Sequence, residues 1–220
     1  MSLATRARKR MLGVRQARTS NSANLWHLKS PVAERAVTLS GDMSMLLFYY
    51  CEGDPTVYKA EYAGDSLDLS LGEVEAFADA LVVLEDGSFQ ARALDDGSPR
   101  ALANIAALRG TCGHHIISVS AGDLLDSSLR IRNWKAAIAA FHRCNGADLR
   151  PVVDDVESYI RLSSSATIQS IVRHLGRHHP LHVIGATVLA LRERAISSNM
   201  DTAPWCMHTR LMRLDHASRR

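Results

Sequence analysis

The chain has 220 residues, of which 46% are hydrophobic but only 5% aromatic, so it can bury an aliphatic core. Its longest apolar runs are well short of the about 18 residues that a membrane span requires. Its basic N-terminus lacks the apolar segment of a secretory signal. Its four cysteines are scattered without a CxxC pair, which predicts reduced thiols. We therefore expect a cytoplasmic protein with no membrane partner.

The net charge of +3 is unevenly distributed along the sequence. Residues 1–40 hold eight Lys/Arg and one acid, and residues 101–220 hold fifteen Lys/Arg and nine acids. Residues 41–100 between them hold only three Lys/Arg but thirteen acids. The two basic parts fit a polyanion such as DNA. The acidic middle fits a metal-binding catalytic face or a surface for a basic protein, and many of its acids are also explained as solvated loop residues.

The N-terminal part predicts an arm followed by a buried helix. Residues 1–24 are basic, acid-free and poor in apolar residues, which indicates a flexible arm. The stretch up to residue 40 is predicted to be irregular or partly helical, with Pro31 as a breaker. Residues 41–51 predict a buried helix with Asp42 as its N-cap, and Pro55 ends it because the residue before proline avoids helical geometry.

The middle of the chain alternates between strand and helix patterns. Residues 56–63 alternate apolar and polar side chains as a strand does, with residues 65–71 as its hairpin partner. Residues 77–94 predict a hairpin around an Asp86-Gly87 turn. A helix over 98–110, a strand over 114–120 and one helix over 121–144 follow. This order predicts an α/β domain over residues 25–148.

The periodicity changes near residues 145–152, where we place a domain boundary. Three short helices and a two-stranded wing then predict a winged helix over residues 149–220. Four arginines close the last helix or lie on the wing, and they are candidate nucleic-acid contacts or, alternatively, solvated surface charges. They are Arg192, Arg194, Arg210 and Arg213.

The order of several local motifs resembles the TnsA-type endonuclease subunit of heteromeric transposases. A helix ends in Glu-x-Asp-Pro before a strand, an Asp follows a small residue at the start of the next strand, and a Gln-x-basic pair follows an Asp-Gly turn. Later segments, "IISVSAGDL" and "RIRNWKAAI", also match in order. The resemblance covers about residues 25–215, and it rests on the residues Glu52, Asp54, Pro55, Asp79, Gln90 and Arg92.

The resemblance implies a restriction-endonuclease-like mixed sheet with flanking helices and a C-terminal winged helix. It implies Mg²⁺- or Mn²⁺-dependent cleavage of DNA at transposon ends, beside a DDE-type transposase subunit. Asp79 stands where such nucleases keep a metal ligand, and Gln90 stands at a second ligand position. Arg92 stands where a Lys orients or activates the attacking water.

Two positions depart from the pattern that the resemblance implies. Ser44 occupies the expected helix acid, with Asp42 and Glu52 as displaced alternatives. Arg92 replaces Lys, and a guanidinium binds phosphate but does not release its proton. Three interpretations stay open: an active nuclease, a non-catalytic or partner-dependent DNA-binding and assembly subunit, and an unrelated fold.

Other motifs predict little chemistry. His174, His178 and His182 have helical spacing and His179 lies beside them, but Gly176 and Pro180 interrupt a zinc-binding face, so a polar turn near DNA is the simpler interpretation. His114 and His115 open a strand and are interpreted as packing or solvent-facing residues. Neither a GxGxxG nor a GxxxxGK[ST] phosphate loop is present, which argues against a nucleotide-using enzyme.

Overall fold

The structure is a computed structural model that describes residues 24–33, 36–62, 78–111, 115–144 and 146–214. The chain forms two compact units, each discontinuous in sequence. The first comprises Met1–Lys29, Arg35–Cys51 and Thr56–Leu125. The second comprises Ser30–Glu34, Glu52–Pro55 and Asp126–Arg220. The predicted basic arm and the predicted strand over 65–71 lie outside the described residues.

A mixed four-stranded sheet forms the centre of the first unit. Its strands are β3 (Val57–Tyr62), β4 (Ala80–Leu84), β5 (Phe89–Asp95) and β6 (His115–Ser120). The order is β3-β4-β5-β6, with β4 antiparallel to both neighbours and β6 parallel to β5. The predicted hairpin is therefore confirmed as β4–β5, and Gly87 adopts a φ of +80° in its turn, where glycine is favoured.

Helices pack on both faces of this sheet, which confirms a mixed α/β domain. Helix α1 (Asp42–Gly53) lies on one face, where the rings of Phe48 and Tyr62 are 4.8 Å apart. Helix α2 (Pro99–Thr111) lies on the other face, where Ile105 and Leu108 pack with Leu81 of β4 and with Ala91 and Ala93 of β5. Successive side chains of a strand point to opposite faces of the sheet, so the residues that contact α1 differ from those that contact α2.

The segment before α1 differs from the prediction. Instead of an irregular or partly helical stretch, strands β1 (Leu25–Leu28) and β2 (Val37–Ser40) pair antiparallel. Asp42 begins α1, and its carboxylate accepts hydrogen bonds from Asn24 Nδ2 (3.0 Å) and Trp26 Nε1 (2.9 Å). The prediction missed these strands because each is only four residues long.

The second unit combines helices with a small antiparallel sheet. Its helices are α4 (Ser128–His142), α5 (Arg150–Ser163), α6 (Ile168–His174) and α7 (Pro180–Arg192). Strands β7 (Ser165–Thr167), β8 (Ile196–Ser198) and β9 (Arg210–Arg213) form a sheet in the order β7-β9-β8. The three predicted helices after residue 149 and the strand pair after them are thus present.

Helix α7 is the buried centre of this unit. It packs against α4, α5 and α6, and every residue from Gly185 to Arg192 is buried. A Cβ atom at Gly185 would lie 2.3 Å from Cys144 Sγ. Only glycine at this position therefore lets α7 lie so close to Cys144. The apolar sequence of this helix explains its central position.

Two predicted boundaries change. The single helix predicted over 121–144 is instead α3 (Ala121–Asp126) and α4, separated at Ser127, a residue type that favours helix ends over helix interiors. The compact units also divide between Leu125 and Asp126 rather than at residue 149. The reason is that α4 packs against α7 and so belongs with the C-terminal helices.

Candidate functional site

Gln90 and Arg92 lie side by side on the sheet face that α1 covers. In the β4–β5 register Gln90 opposes Val82 and Arg92 opposes Ala80, so all four side chains share one face. Both polar residues are buried, with Gln90 7% exposed and Arg92 3% exposed. The two predicted residues therefore do meet in space.

The guanidinium of Arg92 is enclosed by protein groups. Its Nε donates to Gln90 Oε1 (2.9 Å), and its Nη1 lies 3.6 Å from Cys51 Sγ. Its Cζ atom is 5.5 Å from the ring centroid of Tyr50, which is cation–π geometry. Tyr50 and Cys51 belong to α1, and sequence reasoning missed both because neither has a motif of its own.

Asp79 lies just before β4 and engages the far end of β5. Its backbone N–H donates to the Arg92 carbonyl (3.0 Å), while its carboxylate accepts from the Leu94 N–H (2.8 Å). The Asp79 side chain thus supplies a hydrogen-bond acceptor to β5 just before the first residue of β4. Burial raises the pKa of Asp79, whereas the Leu94 hydrogen bond opposes that rise, and the Asp96 charge adds to it.

These residues do not fit a magnesium or manganese ion. A hard cation is held by carboxylate, carbonyl and water oxygens. Here the Gln90 amide oxygen faces the Arg92 guanidinium, a cation that repels a second one, and the Asp79 carboxylate bonds a backbone amide. Across the described ranges, no group of three or more His, Cys, Asp or Glu side chains is placed to hold a metal.

The candidate second acids are engaged elsewhere. Glu52 is buried, and its Oε2 accepts from Ser30 Oγ (2.6 Å) and from Arg192 Nε (2.8 Å). Asp42 binds Asn24 and Trp26, as described above. Ser44 is half-buried within α1. Glu52 therefore belongs to an ion pair of the second unit, and Asp42 belongs to the start of a helix.

The four candidate nucleic-acid arginines divide into two pairs. Arg192 is 4% exposed and bound to Glu52, so it is buried rather than presented to DNA. Arg194 is half-buried, and its Nη2 donates to the Asp54 carbonyl (3.3 Å). Arg210 and Arg213 on β9 are exposed, as a phosphate contact requires. Arg192 is buried because it is the last residue of the buried helix α7, and Arg194 lies two residues beyond the end of that helix.

The histidine-rich turn after α6 binds protein groups. His178 Nε2 lies 2.7 Å from Asp155 Oδ2, and Arg177 binds the same carboxylate. The pKa of Asp155 is lowered by Arg177 and then by His178. His174 stacks on Tyr159 at 4.3 Å. The side chains therefore point to different partners, in agreement with a polar turn.

Comparison with known proteins identifies no family for this chain. A scan against models of known protein families finds no match, and no curated protein matches its sequence. Among the residues whose placement is described, no helix is both long enough and apolar enough to cross a membrane. The functional argument therefore depends on the geometry of the chain itself.

The raised pKa of Asp79 predicts a pH-dependent gain in stability for Asp79→Asn. A carboxyl group with a raised folded pKa ionises less readily in the folded chain than in the unfolded chain. Its ionisation therefore lowers the stability of the fold as pH rises from the unfolded pKa, about 3.9, through the folded pKa. Asparagine cannot ionise but can still accept from Leu94. The variant's free energy of unfolding, relative to the native chain, should rise across that window and then level off.

Urea unfolding from about pH 2 upward measures this difference, and Asp86→Asn is the control. Hydrogen bonds from Ser88 lower the pKa of Asp86, so its substitution should give the opposite slope, with relative stability falling as pH rises through the folded and unfolded pKa values. A pH-independent difference for Asp79→Asn would mean that its carboxylate is as well solvated in the fold as in the unfolded chain.

Proposed function

We propose that this chain is a non-catalytic DNA-binding and assembly subunit built on a nuclease-type α/β domain. The observation that carries the proposal is the buried Arg92 guanidinium, bound to Gln90 Oε1 at 2.9 Å on the sheet face where the resemblance expects catalysis. Arginine holds its proton at all ordinary pH values, so it cannot accept one from water. The site is therefore better suited to holding the fold than to hydrolysis.

The element order supports a nuclease-type scaffold within this proposal. The mixed sheet has helices on both faces, and Asp79 precedes β4 while the Gln-x-Arg pair lies on β5. The second unit supports the winged-helix part, since α5, α6 and α7 accompany a three-stranded sheet whose β8 and β9 are antiparallel. Because α7 is buried, we propose backbone contacts to DNA rather than base reading by that helix.

The acidic residues 41–100 support a protein partner. A net charge of −10 over that stretch, with three Lys/Arg against thirteen acids, suits a basic surface such as that of a DNA-bound transposase. We propose a DDE-type transposase subunit as this partner. Salt-sensitive co-purification of the two proteins, unchanged by Asp79→Ala, is the expected result.

A metal-dependent endonuclease is the second candidate, because the Asp79 backbone adjoins Arg92 at the edge where the resemblance places the ligands. Supercoiled-plasmid nicking in Mn²⁺ separates the two functions. The native chain should bind DNA without nicking it, and the double variant Ser44→Glu/Arg92→Lys should restore nicking if only the site residues are missing. Nicking by the native chain that Asp79→Ala abolishes would establish the endonuclease instead.

A further inference from the structure

Helix α4 has one acid-free face that is exposed to solvent within the second unit. Successive residues of an α-helix turn by about 100°, so positions 128, 132, 135, 136, 139, 142 and 143 fall within an arc of about 120°. All seven are exposed. The opposite arc is buried and contains Ile131, Asn133, Trp134, Ala137 and Ile138.

The exposed arc carries a concentrated positive charge. It presents Arg132, Lys135 and Arg143, with His142 at its edge. The sequence has no Asp or Glu between residues 126 and 148. The exposed positions of α5 differ, because they combine both signs of charge, with Arg150 and Arg161 on the same helix as Asp154.

The residues between these cations permit close approach of a partner. Ala139 occupies the centre of the arc, between the charged side chains, and Ala136 lies at the edge opposite His142, so neither position adds more than a methyl group. The eleven residue steps from Arg132 to Arg143, which follows the last residue of α4, span about 16 Å. One strand of duplex DNA presents a phosphate about every 3.4 Å along its axis. The three cations can therefore reach several phosphates of one backbone.

We infer that this face of α4, the α4 basic face, is a binding surface for the sugar-phosphate backbone of duplex DNA. The inference rests on the proposed DNA-binding function. It places the DNA contact on α4, away from the wing arginines Arg210 and Arg213. Charge complementarity favours binding through the phosphates, which does not depend on the base sequence. An acidic protein is the competing occupant.

The test compares two triple variants of the full chain, each of which removes three exposed cations. Arg132→Gln/Lys135→Gln/Arg143→Gln removes the charges of the α4 basic face. The control, Arg109→Gln/Arg161→Gln/Arg173→Gln, makes the same change in net charge on α2, α5 and α6. Glutamine keeps helix propensity close to that of Lys and Arg, and thermal unfolding verifies that both variants fold.

Fluorescence anisotropy on two duplexes of unrelated sequence, between about 50 and 200 mM salt, gives the readout. The α4 variant should bind both duplexes at least about tenfold more weakly. For this variant, the slope of log K for DNA binding against log salt concentration should be shallower by about 0.9 for each phosphate that the variant no longer neutralises. The control variant should keep the native slope.

The other outcomes separate this inference from the proposed function. Absence of DNA binding by the native chain would overturn both. Equal binding by the native chain and the α4 variant would overturn the inference alone and leave Arg210 and Arg213 as the candidate contacts. Equally weakened binding by the two triple variants would also overturn it, because net charge and not the face would then explain binding.

Discussion

Replacing Glu52 by Gln is expected to lower the free energy of unfolding by about 3–5 kcal/mol, the usual cost of removing one partner from a buried ion pair. The Glu52 side chain is fully buried and that of Arg192 is 3% exposed, with Oε2 and Nε 2.8 Å apart. Glutamine preserves the shape of the side chain. The cost therefore arises because the Arg192 guanidinium loses the charge of the Glu52 carboxylate while it stays buried.

Urea unfolding of matched variants measures this effect. Glu52→Leu/Arg192→Met removes both charges and should recover most of the stability, since apolar replacements of a buried pair are often neutral. Glu193→Gln is the surface control: it breaks the exposed pair with Arg150 in the same unit and should cost less than about 1 kcal/mol. Ser30→Ala should cost about 1.5–3 kcal/mol because it removes one hydrogen bond to the buried Glu52 carboxylate.

A Glu52→Gln variant as stable as Glu193→Gln would show that water reaches the Glu52–Arg192 pair. That result would also reopen Arg192 as a phosphate contact, because its guanidinium would then be accessible. The same unfolding experiment therefore bears on stability and on the assignment of DNA-binding residues.

Local sequence patterns predicted most of the fold. Alternation and an Asp-Gly turn predicted the β4–β5 hairpin, because a half-buried strand has a period of two and the turn needs a residue that tolerates positive φ. An apolar run and Pro55 predicted α1. The misses were β1, β2, β7 and the break at Ser127, where the segments are too short to show a period.

The candidate site was only partly predictable, because its determinants are distant in sequence. The Gln90–Arg92 bond follows from their spacing on one strand, whereas the Arg92–Cys51 contact joins residues 41 positions apart. The Glu52–Arg192 pair spans 140 positions. A terminal arginine on a helix predicts a solvated charge or a phosphate contact unless the buried acid opposite it is known.

Replacing Asn133 by Ala is expected to cost about 2–4 kcal/mol and to loosen the loop between β8 and β9. The Asn133 side chain is buried, and its Nδ2 donates to the carbonyls of Met200 (2.6 Å) and Ala203 (2.8 Å). Its Oδ1 accepts from the Trp205 N–H (2.9 Å). One side chain thus satisfies three backbone groups of the loop, and alanine leaves all three without this partner.

Urea unfolding gives the global cost, and hydrogen exchange of the Trp205 amide reports the loop directly. Asn133→Asp is the matched variant. It keeps the acceptor for Trp205 but faces two carbonyls with a carboxylate oxygen, so it should destabilise at least as much while protecting the Trp205 amide better than alanine does. If Asn133→Ala leaves both readouts unchanged, other contacts, such as Arg130 with Asp201 (2.6 Å), must hold the loop.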